Sequence, residues 1–386
     1  MAGPFALIAN PENRRAAYFS EACQSRGLPE PVLLPWAEVL RDDFPLRKRL
    51  AEAGALRIES PGENFAVERQ MIGLGSDAAR EEPTWPSISR EAAAALEEDH
   101  GRLRLQRQWY HGWLLALAKI ESAASSCELA VMNSPSEIAV AFDKAATQFR
   151  LLEAGVPIAP NLGICRDFAD LRSRMREAGM NRVFLKPCHG SSASGIVALE
   201  TDGRDRWQAT TSAVLTEHSQ GVRLHNSLHL QRVRDTARIR QLVDAICRER
   251  ALAERWIPKA SIEGRTYDLR ILVIAGLAAH VVVRTSRSPI TNLHLGNERG
   301  NPDVVRARLG EFKWAAALQT AEAAGACFPG CHYLAVDLMV DSALRRFVVA
   351  EVNAFGDLLP RVLWNGMTSW EAELEAWRST LLNTKS

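Results

Sequence analysis

The sequence predicts an α/β protein of more than one domain, and three observations support this. Its 386 residues are enough for two or three domains of ordinary size. The chain opens with a strand, a helix and a second strand in segments 4–10, 12–26 and 31–36, the usual start of a parallel sheet. Towards the C-terminus, apolar strands instead follow one another as hairpins with polar residues near their ends.

Composition and charge argue against several classes of protein. Lys and Arg number 47 against 46 Asp and Glu, a net charge of +1, whereas a dedicated nucleic-acid binder usually has a basic excess. The seven cysteines are scattered with no CxxC pair, so neither a zinc site nor a disulfide framework is expected. There is no leader pattern and no apolar run of about 18 residues. We therefore expect a cytoplasmic protein with no membrane or nucleic-acid partner, and the sequence leaves homo-oligomerisation open.

The N-terminal half contains one loop of functional interest. Segment 55–65 reads as a strand followed by Ser60-Pro61-Gly62-Glu63-Asn64 (the SPGEN turn), with a helix beginning near Ala66. A turn at the carboxyl end of a strand can bind substrate, although an ordinary turn explains the pattern equally well. Residues 91–125 are expected to form a helical pair that packs its aromatic face, with Trp109 and Trp113, into the core.

The remaining elements alternate between helix and strand. We expect a strand at 128–133 and one helix at 134–155 with a serine cap and a glycine end. The later helices are predicted at 168–179, 235–250 and 305–324, and the later strands at 182–187, 252–257, 267–275, 277–286, 333–340 and 346–352.

Two carboxylates and an amide meet at the end of the last predicted hairpin. Glu351 and Asn353 are two residues apart, so they point to the same face of their strand. The hairpin register places Asp337 roughly opposite this pair. Oxygen ligands of this kind suit Mg²⁺, which takes few ligands from the protein and leaves the rest of its shell to water and phosphate. Exposed polar residues at a strand end are the alternative.

Upstream segments supply partners for an anion. Lys186 ends an apolar strand, and the glycine- and serine-rich loop 188–195 follows, which can wrap phosphates with backbone N–H groups or form a solvated hairpin tip. Two arginines on a later antiparallel pair, Arg270 and Arg284, suit a phosphate or an anionic intermediate if they lie near the metal. Asp268 shares a strand face with Arg270.

Together, these segments resemble the ATP-grasp superfamily over roughly residues 130–362, with a matching segment before it. The pattern is most similar to carboxylate–amine ligases of the type that add glutamate to protein tails. The recurring elements look like FDKAATQFRLLEAGVPIAP, FLKPCHGSSASGI, AERWI, DLRILV, TNLHLGN, AVDLMV and AEVNA. Each fragment is short and permissive, but their order and spacing together are specific.

The resemblance implies an ATP-grasp fold, in which two α+β subdomains sandwich the nucleotide, preceded by a Rossmann-like pre-ATP-grasp domain. We place that first domain at 1–128, with a helical insertion at about 88–125. The ATP-grasp domain would cover 129–386, with a lid subdomain at about 165–255 and a metal-binding subdomain at about 256–386.

The resemblance also implies roles for individual residues. Lys144 and Lys186 would bind the α- and β-phosphates of ATP, and Arg270, Arg284 and Asn292 would face the γ-phosphate and acyl phosphate. Asp337, Glu351 and Asn353 would hold one or two Mg²⁺, with Mn²⁺ as a substitute. The remaining nucleotide contacts would come from the lid loop and the adenine site, at Gly190, Ser191, Ser192, Ser194, Gly195, Glu254, Trp256, Ile257 and Asp268.

Two positions depart from the family pattern. Lys259 stands near the place where an acidic residue often meets the ribose hydroxyls, and Glu263 is a candidate substitute. Leu295 replaces the basic residue that related ligases carry after the histidine of TNLHLGN. The second departure puts the assignment of substrate contacts in doubt.

The implied activity is an ATP- and Mg²⁺-dependent carbon–nitrogen ligase acting on small-molecule or peptide substrates. A carboxylate would attack the γ-phosphate, and an amine would then displace phosphate from the acyl phosphate. Two alternatives stay open at this stage. One is a kinase of the same fold, and the other is a non-catalytic ATP-binding partner protein. His189 and His294 are further candidates for contact with phosphate or substrate, whereas Cys188 is not expected to act as a nucleophile.

Overall fold

The computed structural model describes residues 3–190, 193–218, 221–356, 359 and 362–383. Its strands are β1 (Phe5–Ala9), β2 (Val32–Pro35), β3 (Ala55–Ile58), β4 (Asn161–Cys165), β5 (Arg182–Pro187), β6 (Val197–Thr201), β7 (Trp207–His218), β8 (Gly221–Val233), β9 (Ala251–Arg255), β10 (Ser261–Ile262), β11 (Arg265–Ile274), β12 (Leu277–Ser286), β13 (Glu298–Gly300), β14 (Tyr333–Val340) and β15 (Phe347–Asn353). Its helices are α1 (Arg14–Ser25), α2 (Trp36–Val39), α3 (Leu46–Leu50), α4 (Phe65–Leu74), α5 (Ser76–Arg80), α6 (Arg90–Ala94), α7 (Gln106–Ser126), α8 (Pro135–Phe142), α9 (Lys144–Glu153), α10 (Phe168–Glu177), α11 (Thr236–Cys247), α12 (Pro302–Leu309), α13 (Glu311–Ala326) and α14 (Ser369–Asn383).

The N-terminal sheet is parallel and has the strand order β2-β1-β3, as the opening strand–helix–strand pattern predicts. All of β1 is buried, which fits an apolar run covered on both faces. The helix α1 begins after Asn13, whose side chain accepts the Arg15 N–H at 2.9 Å. This contact satisfies one of the free donors of the first helical turn.

The middle sheet is antiparallel, with the order β4-β9-β5-β6-β7-β8. Helices α10 and α11 pack on it and close an apolar core of its own, which includes Val183, Leu199, Leu171 and Ile246. The buried residues of α11 recur at helical spacing, as its sequence predicts. This core is separate from the clusters under the other two sheets.

The C-terminal sheet is also antiparallel, with the order β13-β12-β11-β14-β15 and β10 paired to β11. The register places Asp337 of β14 directly opposite Glu351 of β15, with a bulge between Asp337 and Leu338. Apolar residues of this sheet and of the N-terminal sheet belong to the same clusters, for example Ile8 with Val336. The middle sheet is therefore the more separable part of the molecule.

Three predicted helical segments are each interrupted. The predicted helix at 134–155 is two helices, α8 and α9, because Asp143 adopts φ −93° and ψ 108° and its carboxylate accepts the N–H groups of Ala145 and Ala146. The predicted helix at 305–324 breaks between α12 and α13 at Gly310, which has φ +75°. Between α6 and α7, residues 95–105 are not helical.

Residues 128–133 form isolated bridges rather than the predicted strand, since Val131 pairs with Leu56 and Asn133 pairs with Cys331. Asn133 also donates from its side chain to the carbonyls of Tyr333 and Ala354 at 2.8 and 2.7 Å. The segment therefore joins the N-terminal and C-terminal sheets without lengthening either.

The non-helical residues 95–105, called here the linking segment, attach to the edge of the middle sheet. The Leu103 N–H donates to the Leu224 carbonyl at 2.9 Å, and the Asn226 N–H donates to the Gly101 carbonyl at 2.7 Å. The Leu103 side chain is buried in the core of the middle sheet. Among the described helices, none has the length and apolar character needed to cross a bilayer.

Candidate active site

A cleft lies between the middle and C-terminal sheets, and residues of both sheets line it. Phe184, Ile196, Ile290 and Met339 form an apolar part of its lining. The charged part combines four cations with four carboxylates, which are Lys144, Lys186, Lys259, Arg284, Glu254, Asp268, Asp337 and Glu351. The cleft thus offers an apolar wall for a flat ring and a charged wall for an anion.

Lys186, at the end of β5, pairs with Glu254 of the neighbouring strand β9. Burial opposes the charge on Lys186, but the attraction of Glu254 outweighs it and raises the pKa of the ammonium group. Gln148 of α9 donates to the other Glu254 oxygen at 2.6 Å. Glu254 therefore favours the charged form of Lys186 in the cleft. The sequence analysis did not predict this ion pair.

Lys144 enters the cleft from the first turn of α9. Its ammonium lies 3.1 Å from the Glu351 carboxylate and also donates to the Gly190 carbonyl. The helix break at Asp143 gives Lys144 this position, since its backbone N–H donates to the Cys188 carbonyl at 3.1 Å. The two predicted phosphate-binding lysines and the predicted metal ligand Glu351 thus line one space.

Asp337 is held by the two predicted arginines. Arg270 donates to its two oxygens at 2.6 and 2.8 Å, and Arg284 lies 3.0 Å from one of them. Burial disfavours the Asp337 anion, but the two guanidinium groups reverse the effect and lower its pKa. Arg284 also donates to Asp268 at 2.7 Å, so these four residues form one network across β11, β12 and β14.

Lys259 extends this network and is the main residue that the sequence did not assign. Its ammonium lies 3.0 Å from Asp268 and 2.7 Å from the Thr291 hydroxyl. Burial lowers the pKa of Lys259, with Asp268 opposing the shift. Lys259 is also the position that departs from the family pattern. Its candidate acidic substitute, Glu263, is exposed in the turn between β10 and β11 and does not line the cleft.

The predicted metal ligands supply oxygen donors that suit Mg²⁺. Asp337 and Glu351 are cross-strand partners, and Asn353 follows Glu351 on the same strand face. The Asn353 Nδ2 atom is buried without a hydrogen-bond partner among the described residues. Arginine and lysine groups contact the two carboxylates directly. The described residues contain no cluster of three or more His, Cys, Asp or Glu side chains suited to a metal, so the fit rests on two carboxylates and one amide.

The loop after β5 lies against the cleft. Gly190 and Ser194 line it, whereas Ser191 and Ser192 lie outside the described residues. Gly195 has φ +72°, and a Cβ atom there would approach the side chains of Leu103 and Pro187 to 3.0 Å, so only glycine fits without strain. This loop is thus packed against the linking segment.

His189 and Cys188 do not line the main cleft. His189 is buried, stacks on Tyr110 with ring centroids 4.0 Å apart, and bonds Asp143 through Nε2 at 3.0 Å. Burial lowers the pKa of His189 to about 4 despite the Asp143 carboxylate. Burial likewise raises the pKa of the Cys188 thiol to about 12, which disfavours the thiolate that a nucleophile needs.

Only some of the predicted adenine-site residues lie at the apolar wall of the cleft. Glu254 lines the cleft, and the Trp256 ring packs 5.4 Å from Phe184, which also lines it. The backbone N–H of Trp256 already donates to the Arg182 carbonyl at 3.1 Å, so it is not free to bind adenine. Ile257 packs with Met339 behind the wall. Asn292 lines the cleft, whereas His294 is exposed and does not.

The fold and the cleft together define an ATP-grasp protein. The structure is similar to that of D-cycloserine synthetase DcsG, with a TM-score of 0.56 and 12% identity over 98% of this chain and 100% of that chain. The sequence of residues 153–355 matches the family model of YheC/D-like ATP-grasp proteins, which is more than half of the chain, so this protein belongs to that family.

Two further solved structures have the same fold. The ADP complex of N5-carboxyaminoimidazole ribonucleotide synthetase has a TM-score of 0.53 and 12% identity, over 97% of this chain and 76% of that chain. ATP-grasp ligase PsnB with a minimal precursor has a TM-score of 0.50 and 14% identity, over 97% and 99%. A search of curated proteins finds no match to the sequence. The expected ATP-grasp fold is thereby confirmed.

Proposed function

We propose that this protein is an ATP- and Mg²⁺-dependent ligase that activates a carboxylate as an acyl phosphate and couples it to an amine. One observation carries the proposal. Lys144, Lys186 and the cross-strand pair Asp337–Glu351 line a single cleft in a chain of an ATP-grasp family. Solved structures of this fold include proteins named as a synthetase and as a ligase, which supports ligation as the reaction class.

The proposed reaction has two steps. A carboxylate oxygen attacks the γ-phosphorus, the bond to the bridging oxygen breaks, and ADP leaves with the electron pair. The amine nitrogen then attacks the acyl carbon, the carbon–oxygen bond to phosphate breaks, and the nitrogen loses one proton. No covalent enzyme intermediate is required, so the protein acts by positioning the groups and neutralising their charge.

Lys144 and Lys186 are proposed to bind the ATP phosphates. Each is held in place by a carboxylate, Glu351 or Glu254, at the wall of the cleft. A bound triphosphate would give both lysines a stronger partner than one carboxylate, because it carries more charge in the same low-dielectric space. Arg270, Arg284 and Asn292 are proposed to face the transferred phosphate, with Asp337 aligning the two guanidinium groups.

Asp337, Glu351 and Asn353 would hold Mg²⁺, which would offset phosphate charge when bound. In the structure the oxygens of Asp337 and Glu351 are partnered by Arg270, Arg284 and Lys144. We propose that these cations contact the phosphates once nucleotide is present, which would free carboxylate oxygens to bind the metal.

The substrates are proposed to be small molecules or peptides. The domain limits at about residues 128, 165 and 256 also stay a proposal.

The proposal is tested by measuring ADP release from MgATP with pools of small carboxylates and amines. We expect a pool that gives ADP, phosphate and a new amide, and we expect Glu351→Ala to lose this activity without unfolding. The matched control is Glu298→Ala, because Glu298 is an exposed carboxylate of the same sheet that lies outside the cleft.

The products separate the three activities. An amide product with ADP and phosphate supports ligation. A stable phosphorylated product would identify a kinase instead. Tight ATP binding with no ADP formed from any acceptor would favour a non-catalytic partner protein. Full activity in Glu351→Ala would remove the case for a metal at this position.

A further inference from the structure

A second cavity adjoins the cleft, and Gly190 and Ser194 line both. Its other walls come from the SPGEN turn, from Glu68 of α4 and from the linking segment with the start of α7. The apolar part of its lining is Leu103, Trp109 and Phe142. A molecule bound here would lie beside Gly190 and Ser194 of the cleft.

Two guanidinium groups give this cavity the means to bind an anion. Arg102 and Arg104 both line it, and the Nε atom of each is buried without a partner among the described residues. Arg104 donates to the Glu97 carbonyl at 2.8 Å, and Arg102 lies 3.5 Å from the Asp99 carboxylate. Neither arginine is paired with a carboxylate in the bidentate way that Arg270 is.

The electrostatics at Arg102 also favour an incoming anion. Burial lowers the pKa of Arg102, and the like charges of Arg223 and Arg104 lower it further, with Asp99 opposing them. A ligand anion placed between Arg102 and Arg104 would relieve the repulsion between the two guanidinium groups.

The same cavity carries negative and neutral polar groups. Glu63 and Glu68 line it, and burial raises the pKa of Glu68 while Arg104 opposes that shift. The Gln106 Oε1 atom and the His189 Nδ1 atom are both buried, and neither has a partner among the described residues. The lining therefore suits a ligand with an anionic group, an ammonium group and an apolar part.

The SPGEN turn is held rigidly at the cavity wall. Asn10 donates from its side chain to the carbonyls of Pro61 and Gly62, each at 2.9 Å. Asn64 caps α4 by accepting the Val67 N–H at 3.0 Å. Between them Glu63 has φ +66°, an unfavourable value for a residue with a side chain, which the surrounding contacts maintain. These contacts therefore hold the backbone of the turn, whereas the Glu63 side chain itself is exposed.

We propose that this cavity binds the amine substrate of the ligase, an amino compound that also bears a carboxylate or phosphate, with the anionic group held by Arg102 and Arg104. The inference rests on the proposed ligase activity for its role and on the cavity for its chemistry. The amino group would be attracted by Glu63 and Glu68, and the opening at Gly190 and Ser194 would lead to the acyl phosphate.

The test is thermal denaturation of the full chain with MgADP and three separate probes. The first probe is a pool of the proteinogenic L-amino acids, and the second is O-phosphoethanolamine. The third is a pool of the same amino acids as α-carboxamides, in which the α-carboxylate charge is absent. We expect one anionic probe to raise Tm by about 2–4 °C and the amides to leave it unchanged. The responding arm identifies carboxylate or phosphate as the recognised group.

Arg104→Met should abolish the rise in Tm, and Glu68→Gln should reduce it. Arg69→Met is the matched control. The guanidinium groups of Arg69 and Arg104 lie 5.8 and 5.9 Å from the centroid of the Phe65 ring, but Arg69 does not line the cavity. If Arg104→Met fails to fold, Arg104→Lys should weaken the response by removing only the bidentate donor geometry.

The inference is overturned if neither anionic probe changes Tm, if the amides act equally, or if the cavity variants respond like the wild type. These readings do not depend on turnover. An anionic probe that binds through Arg104 while no acceptor yields ADP would contradict the ligase proposal and leave the cavity assignment standing.

Discussion

Two networks of buried charge differ in what surrounds them. At the N-terminal sheet, Arg57 pairs with Glu59 and Glu373, both at 2.7 Å, and its guanidinium lies 4.4 Å from the ring centroids of Phe19 and Tyr333. These three charged side chains are at most 3% exposed and line none of the cavities described above. In the cleft, by contrast, Lys186 with its partner Glu254 and Asp337 with its partner Arg284 border open space.

The difference shows that burial and pairing alone do not mark a functional site. The Arg57 network borders neither cavity, so a ligand bound in either one cannot replace its partners, and its energetics are those of a structural ion pair. The cleft network is similarly paired, but its members can exchange a protein partner for a ligand. The predictions below separate the two networks, starting with the largest expected effect.

The Arg57→Met variant should lose about 3–5 kcal/mol of unfolding free energy, because Glu59 and Glu373 would stay buried without a cation. Urea denaturation measures this loss. Adding Glu59→Gln and Glu373→Gln should recover part of it. Activity per folded molecule should stay at the wild-type level, and a stable Arg57→Met protein with impaired ADP release would contradict the division into two networks.

The double variant Lys186→Met/Glu254→Gln should reduce ADP formation by about 100- to 1,000-fold. Both charges are removed together, so no carboxylate is left unpaired and Gln148 keeps a hydrogen-bond partner. Steady-state kinetics and Tm should be measured side by side, with Lys119→Met as a control because Lys119 donates to the Val39 and Arg41 carbonyls away from the cleft. Near-normal turnover in the double variant would refute the phosphate role.

A third prediction concerns pH, because burial lowers the pKa of His189 to about 4. Between about pH 6.5 and 4 the unfolded chain binds a proton at this residue and the folded chain does not, so stability falls as pH is lowered through this window. His189→Gln keeps a donor for Asp143 but cannot titrate. Between pH 7 and 4.5 the wild type should lose about 2 kcal/mol more than this variant in urea denaturation, and equal losses would contradict the assignment.

The smallest effect is expected at a third, more exposed set of charges. Asp99 lies 2.9 Å from His225 and 3.3 Å from Arg223, and its side chain is 28% exposed. Asp99→Asn should change the unfolding free energy by less than about 1 kcal/mol, since water screens such pairs. Urea denaturation provides the check, and a loss as large as that of Arg57→Met would show that exposure does not govern these networks.

Much of the ATP cleft could be predicted from the sequence because it depends on local patterns. The two-residue period of a strand places Glu351 and Asn353 on one face, and the hairpin register brings Asp337 opposite Glu351, as the structure confirms. Lys186 was found because it directly follows an apolar run. The ATP-grasp fold itself followed from the order of short segments and is confirmed by the family match.

The second cavity could not be predicted because its walls are distant in sequence. Arg102 and Arg104 read as part of a charged helical stretch, and their position depends on pairing between Leu103 and Leu224. The break at Asp143 was missed for a related reason, since its carboxylate is held by His189 and Arg250 from other elements. Lys259 was visible only as a departure from the family pattern.

The attachment of the linking segment to β8 ties the two cavities together mechanically. A swing of the middle sheet that widened the ATP cleft would carry residues 101–103 with it through the backbone bonds at Leu224 and Asn226. Arg102 and Arg104 would then move away from the SPGEN turn in the same movement. The openings of the cleft and of the second cavity would therefore change together rather than independently.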